Sequence, residues 1–259
     1  MNEKLQWLKL NYRDPLLKIC ADKVSARAFV AEKVGAKHLV PSIAIYDSVD
    51  QIDFDALPAS FVLKASHGSG WNIICRDKKR LDVAVTRRKL ARWHSQNFYE
   101  IGREWAYDAL TPRILAEEFI NGPDGDSPWD YKVFCFHGVA RFIQVDYARF
   151  SDHTRALYDL HWNQLPCALE YPRRVQPSAR PVALPELLRV AETLSIGFPF
   201  VRVDLYALGM RVLFGEMTFY PGKGVERFYP TSWDREFGAW LDVDSVRQEA
   251  YRTRLQGSN

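Results

Sequence analysis

Two clusters in this sequence have the residue types and spacing that phosphate and metal chemistry require. In the first, the runs Phe61-Val62-Leu63-Lys64-Ala65 and Asn72-Ile73-Ile74-Cys75 flank His67-Gly68-Ser69-Gly70, the composition of a glycine-rich hairpin. A turn of small residues between strands can bring successive backbone N–H groups onto phosphate oxygens, because glycine has no Cβ to hold them off. Lys64, entering from the first run, could add a point charge to the same phosphates. The order excludes a Walker loop, which needs GxxxxGK[ST] between strand and helix, and a protein kinase, whose glycine loop precedes its strand lysine. The same residues also read as plain hairpin punctuation with a solvated lysine.

The second cluster lies near the other end. Asp204 in Val201-Arg202-Val203-Asp204-Leu205-Tyr206 and Glu216 in Phe214-Gly215-Glu216-Met217-Thr218 sit on consecutive strand-like runs split by Leu208-Gly209-Met210. Antiparallel pairing of these runs could bring both carboxylates to one face. Mg²⁺ takes oxygen ligands of this kind, one or two carboxylates beside nucleotide phosphates, so the pair would suit a metal–nucleotide site. Arg202 alternates onto the face of Asp204 and could stabilise charge on a transferred phosphoryl group or a tetrahedral oxyanion. A cross-strand salt-bridge ladder is the other reading of the same three residues.

Strands and helices must position these groups, and the periodicity supplies both. Helical patterns are expected over 23–34, stopped by Gly35, over 87–98, from about Pro185 to Leu194, and from Asp234 to Leu255. Strand patterns are expected over 61–65, 72–75, 113–120, 131–136, 139–145, 201–206 and 211–216, with His137-Gly138 joining a hairpin. The sum is an α+β chain with mainly antiparallel sheets.

Composition bounds the rest. With 47% hydrophobic residues in 259, the chain can bury one large core or two smaller ones around a cleft, which excludes a mainly disordered protein. A net charge of +3, with no stretch basic enough to track a phosphate backbone, argues against nucleic acid as a partner. The four cysteines, Cys20, Cys75, Cys135 and Cys167, form no CxxC pair, so neither a zinc knuckle nor a disulfide framework is implied and a reducing cytoplasm fits. Charges break the first fourteen residues, and no apolar run approaches the roughly 20 residues that span a bilayer, so membrane insertion is not expected.

The order of motifs resembles the ATP-grasp ligases, and within them the TupA-like branch linked to teichuronopeptide and polysaccharide biosynthesis. The resemblance runs nearly end to end. It rests on Asp22-Lys23, Phe61 to Lys64 with His67-Gly68-Ser69-Gly70, Arg113-Ile114-Leu115-Ala116-Glu117-Glu118-Phe119-Ile120, Asp130-Tyr131-Lys132-Val133-Phe134, Gly197 to Asp204, and Gly215 to Gly222. It implies an ATP-grasp fold of two α+β lobes clamping the nucleotide, with a reduced pre-grasp segment at residues 1–58, an N-lobe at 59–120 and a C-lobe at 121–259. It also implies ATP and Mg²⁺, and an amide formed from a carboxylate and an amine through an acyl phosphate.

Carried over by residue, the resemblance makes Lys64 the α/β-phosphate contact, Gly68, Ser69 and Gly70 the lid, and Glu117, Glu118, Phe119 and Ile120 the adenine hinge. Lys132 becomes a second phosphate contact, Asp204 and Glu216 the Mg²⁺ carboxylates, and Arg202 the arginine on the acyl phosphate and tetrahedral intermediate. Thr218 stands where the family often has Asn, which makes it a poor direct metal ligand. Since only about sixty residues precede Lys64, substrate selection is expected from Asp146 to Phe150, including Arg149, with His153 and Arg155, and from the loop Pro221-Gly222-Lys223-Gly224. Cations there would suit a uronate or amino-acid carboxylate. A pocket missing its substrate domain could be completed by a partner or a second copy, a possible homo-oligomer. Two rival readings are a metal-dependent glycosyltransferase, suggested by Asp124-Gly125-Asp126, and a nucleotide-binding module without turnover.

Overall fold

The computed structural model describes residues 1–122, 129–147 and 152–248, in two compact units. One comprises residues 15–128 with 213–216 and is built on a four-stranded sheet; the other comprises 1–14, 129–212 and 217–259 and is built on a five-stranded sheet. The first helix, α1 (Asn2–Asn11), belongs to the five-stranded unit.

The four-stranded unit begins with α2 (Leu16–Ala21) and α3 (Ser25–Val34). Asp22 sets the start of α3: its carboxylate accepts the Ser25 amide at 2.7 Å and the Arg113 guanidinium at 2.8 Å. Gly35, at φ 97°, ends the helix where a Cβ would be strained. Strands β1 (Ser42–Tyr46), β2 (Phe61–Ala65) and β3 (Asn72–Cys75) are followed by α4 (Val83–His94), the short α5 (Tyr99–Gly102) and β4 (Ile114–Glu118). The sheet order is β1-β4-β2-β3, antiparallel throughout. On β2 the period of two is strict: Phe61, Leu63 and Ala65 are buried against Leu90 and Trp93 of α4, while Val62 and Lys64 face the other way. Helix α4 starts a turn earlier than the apolar stripe alone indicates, because Asp82 caps it by accepting the Val85 amide at 2.8 Å. Leu39 bridges Phe214 in parallel, which ties residues 213–216 to this unit.

The remaining elements are β5 (Asp130–Phe136), β6 (Val139–Tyr147), β7 (Thr154–Tyr158), the two-residue β8 (Ala168–Leu169), α6 (Leu184–Ser195), β9 (Phe200–Leu208), β10 (Arg211–Thr218), β11 (Phe228–Tyr229) and α7 (Ser232–Ala239), all of the five-stranded unit except residues 213–216 of β10. The main sheet runs β10-β9-β5-β6-β7, and β8 pairs with β11. The β5–β6 turn uses His137 and Gly138, both at positive φ, the conformation a two-residue hairpin turn demands. Leu184, Leu187, Val190, Ala191 and Leu194 form the buried stripe with which α6 packs on β5 and β9. On the other side of the sheet, Phe134, Phe142, Phe237 and Trp240 form a stacked aromatic group under α7, with Phe134 and Phe142 centroids 4.2 Å apart. Farther along the same side, Lys132, Gln144, Asp146, Arg202 and Asp204 form a polar region that carries the candidate site. The single tail helix expected from 234 to 255 is instead interrupted: α7 stops at Ala239, and Asp242 accepts the amides of Asp244 and Ser245, which starts a new helical segment.

Candidate functional site

The polar end of the five-stranded sheet is built from registered strands. Lys132 on β5 lies opposite Asp204 on β9 and Gln144 on β6, so all three side chains share one face. Asp204 is buried and accepts the Arg202 Nε at 2.7 Å on one oxygen, and Arg202 Nη2 and Lys132 Nζ, each at 2.7 Å, on the other. Lys132 Nζ also donates to Asp130, and Arg202 Nη2 donates to the Thr218 hydroxyl at 3.2 Å. Lys132 and Arg202 are thus paired with the carboxylates of Asp130 and Asp204 in a buried cluster, and such pairing is what lets charges be taken out of water. The Arg202 fork is held by two parallel bonds, which fixes its plane. Thr218 serves as an acceptor for that guanidinium.

Beyond Gln144 the same face continues into a second network. Asp146 accepts Arg155 Nε at 2.6 Å and His153 Nε2 at 3.1 Å on one oxygen, and the Gln144 amide at 3.0 Å on the other. Arg155 also reaches Glu226 at 3.1 Å and lies over the Tyr171 ring. Glu226 packs under the 221–224 loop, where a Cβ on Gly222 would come 2.1 Å from its side chain. His153, Arg155 and the base of the loop are therefore brought together, whereas the Lys223 side chain is exposed and only its carbonyl is held, by Gln6 and Lys9. Arg149 lies outside the described residues, as does Asp124-Gly125-Asp126.

In the four-stranded unit, Lys64 on β2 pairs with Glu117 at 2.5 Å, and Arg27 of α3 takes the other Glu117 oxygen at 2.8 Å. Glu118 is exposed, and Phe119 and Ile120 are half-buried just past the end of β4. Gly68, Ser69 and Gly70 form the turn of the β2–β3 hairpin, closed by the Ala65 amide on the Trp71 carbonyl at 3.0 Å. Gly68 is indispensable sterically: a Cβ there would lie 2.5 Å from the Trp71 indole, and Trp71 is itself stacked on Trp93 and edge-packed on Phe98. Linear reading misses Lys23 as a site residue. Its buried ammonium donates to the Gly68 carbonyl and stands 3.6 Å from Glu216. The pair Asp22-Lys23 stands far ahead of the glycine turn in sequence, so only the fold joins them.

His67 anchors the same turn from behind, its Nε2 3.0 Å from the Trp93 carbonyl. Burial, above all, pulls its pKa below the ordinary value of about 6.5. A histidine whose folded pKa is depressed binds protons more readily when unfolded, so its contribution is complete above the unfolded value and is lost as pH falls below it. Between about pH 7.5 and about pH 5, the wild-type melting temperature should therefore fall more than that of His67→Gln. Parallel declines in thermal melts of the two proteins would remove His67 as a source.

Among the described residues, no group of three or more His, Cys, Asp or Glu is arranged to hold a metal. Mg²⁺ needs no such group, since one or two carboxylates suffice beside nucleotide phosphates. Asp204 and Glu216 each carry carboxylate oxygens of the hardness Mg²⁺ prefers, and the oxygens of Asp204 are engaged by Arg202 and Lys132.

A family model described as TupA-like ATPgrasp matches residues 3–242. Similar solved structures include the D-alanine–D-alanine ligase from Bacillus anthracis complexed with ATP, at 13% identity and a TM-score of 0.43, covering 79% of this chain and 55% of that one. The ATP-grasp ligase PsnB complexed with minimal precursor is 12% identical, with a TM-score of 0.44 and coverage of 83% and 57%. The D-cycloserine synthetase DcsG is 14% identical, with a TM-score of 0.45 and coverage of 79% and 64%. The chain thus spans less than two thirds of the length of each of these three solved chains. No curated protein matches it.

Proposed function

The chain belongs to the TupA-like ATP-grasp family, and we propose that it joins a carboxylate to an amine, using ATP and passing through an acyl phosphate. The observation that carries this reading is the buried Arg202 guanidinium, held as a planar fork on Asp204 beside Lys132. A carboxylate cannot acylate an amine at neutral pH because its leaving group would be oxide. Transfer of the γ-phosphoryl group to it breaks the terminal P–O bond of ATP, releases ADP and leaves phosphate as a good leaving group. Amine attack then forms a tetrahedral oxyanion, expels phosphate and gives the amide once the nitrogen loses a proton.

In this reading Lys64 leaves Glu117 for the α/β phosphates, and Gly68, Ser69 and Gly70 cover them with backbone N–H groups. Lys23, fixed on the Gly68 carbonyl, holds the turn in position. Glu117, Glu118, Phe119 and Ile120 form the adenine hinge, and Lys132 contacts the transferring phosphoryl group. Asp204 and Glu216 would hold Mg²⁺, which when bound would neutralise charge on the phosphates. Arg202 steadies the acyl phosphate and the oxyanion. His153, Arg149 and Lys223 recognise a carboxylate substrate, for which we infer a uronic acid of a surface saccharide or its precursor, with an amino acid as the amine.

The test labels the carboxylate. With an ¹⁸O-labelled uronate and an amino acid, the products should be ADP and phosphate carrying one label. Accumulation of AMP, or label that never reaches phosphate, would overturn the mechanism.

A further inference from the structure

Segment 76–94 holds eight Lys and Arg residues against two carboxylates, a net charge of +6 in a chain whose total is +3. Both carboxylates are committed to the backbone: Asp77 caps the short turn Lys78–Arg80, and Asp82 caps α4. Spaced among apolar residues, the cations look unremarkable in sequence, but the helix gathers them. Thr86, Leu90 and Trp93 turn inward, and Val85, Arg88, Lys89 and Arg92 form the outward stripe at helical spacing. Lys79 and Arg80 stand exposed just before it.

Some of the eight are already engaged. Arg87 donates to the Val49 and Ile52 carbonyls, and Lys78 to those of Asp55 and Leu57. Lys89 lies over the Trp93 ring with its charge still exposed. Lys79, Arg80, Arg88 and Arg92 are ion-paired with no carboxylate among the described residues. Exposed Val83 and Val85 accompany them on the first turn of α4. Beside the stripe, Arg88, His94, Ser48 and Asp50 line a recess of about 370 Å³. The nucleotide is not what this surface serves, because α4 covers the sheet face of Phe61, Leu63 and Ala65, opposite the one bearing Lys64.

We propose that the outward face of α4, with Lys79 and Arg80, docks the protein on an anionic phospholipid surface, with Arg88 presenting the recess to a lipid phosphate. Clusters of four to eight cations on one face attract anionic leaflets through additive, salt-screened terms. The exposed valines favour a bilayer over a soluble polyanion, since only a bilayer offers apolar contact beside its charge. This is adsorption, not insertion, because the inner face of α4 belongs to the core.

The experiment is co-sedimentation of the full chain with phosphatidylcholine vesicles, with and without about 30 mol% phosphatidylglycerol. The protein should pellet only with the anionic vesicles and be released by high salt. Arg88→Glu/Arg92→Glu, and independently Lys79→Glu/Arg80→Glu, should each weaken binding at least about tenfold while circular dichroism and nucleotide binding stay unchanged. Equal pelleting with neutral vesicles, or full binding by both charge-reversed variants, would overturn the proposal. So would dextran sulfate binding as tightly as anionic vesicles with no loss in Val83→Ser/Val85→Ser, which would make the surface a polyanion site.

Discussion

If Glu216 holds Mg²⁺ as proposed, Glu216→Gln should leave a folded protein whose ATP turnover falls by at least about a hundredfold, since losing a metal carboxylate removes several kcal/mol from the charge clamp on the transferring phosphoryl group. The fold should tolerate the change. Glu216 is a quarter exposed, and glutamine keeps its size and hydrogen-bonding oxygen while removing only the charge. Asp204→Asn should inactivate the enzyme too, but for mixed reasons. Asp204 pairs with both Lys132 and Arg202 in a buried cluster, and removing one partner from such a set costs about 3–5 kcal/mol. Its melting temperature should drop by several degrees while that of Glu216→Gln stays near wild type. Thermal melts of both variants, run beside an ADP-release assay across an Mg²⁺ titration, separate the two effects. Near-normal turnover of Glu216→Gln at saturating Mg²⁺ would end its assignment as a metal ligand.

This difference between two carboxylates was beyond the reach of sequence. The strands that carry them were legible: the runs 201–206 and 211–216 fall within β9 and β10, just as the β-rich runs beside the glycine turn match β2 and β3 to the residue. Strand register was not. Whether Asp204 faces a metal or two cations depends on Lys132 being opposite it, a relation between residues far apart in the chain. β1 also escaped, because Ser42-Ile43-Ala44-Ile45-Tyr46 has an exposed isoleucine and a register shift that blur its period. The candidate substrate residues divide for the same reason. His153 and Arg155 share Asp146 because β6 and β7 pair Asp146 with Arg155, whereas Lys223 belongs to a loop whose conformation rests on Gly222 and on contacts with α1. Local composition located the glycine turn, and only tertiary packing reveals that Lys23 and the Trp71 indole shape it.

Arg202→Lys tests the chemistry without disturbing the charge balance. Lysine keeps a positive charge beside Asp204, so the unit should stay folded, but an ammonium cannot reproduce the planar fork that grips both oxygens of Asp204. If Arg202 acts on the tetrahedral oxyanion, the step it serves follows phosphoryl transfer. The carboxylate would still be phosphorylated and ADP still released, but amide formation should slow by about 10²–10³, the usual effect of losing one oxyanion donor. The acyl phosphate would then survive long enough to be taken by water, and ADP release would uncouple from amide formation. The measurement is the ratio of amide to ADP in wild type and variant, with hydroxylamine added in a parallel reaction to capture the acyl phosphate as a hydroxamate. A low ratio with hydroxamate retained places Arg202 in the second step. A ratio unchanged while both products fall together would mean that the guanidinium only supports Asp204, and its catalytic assignment would have to be withdrawn.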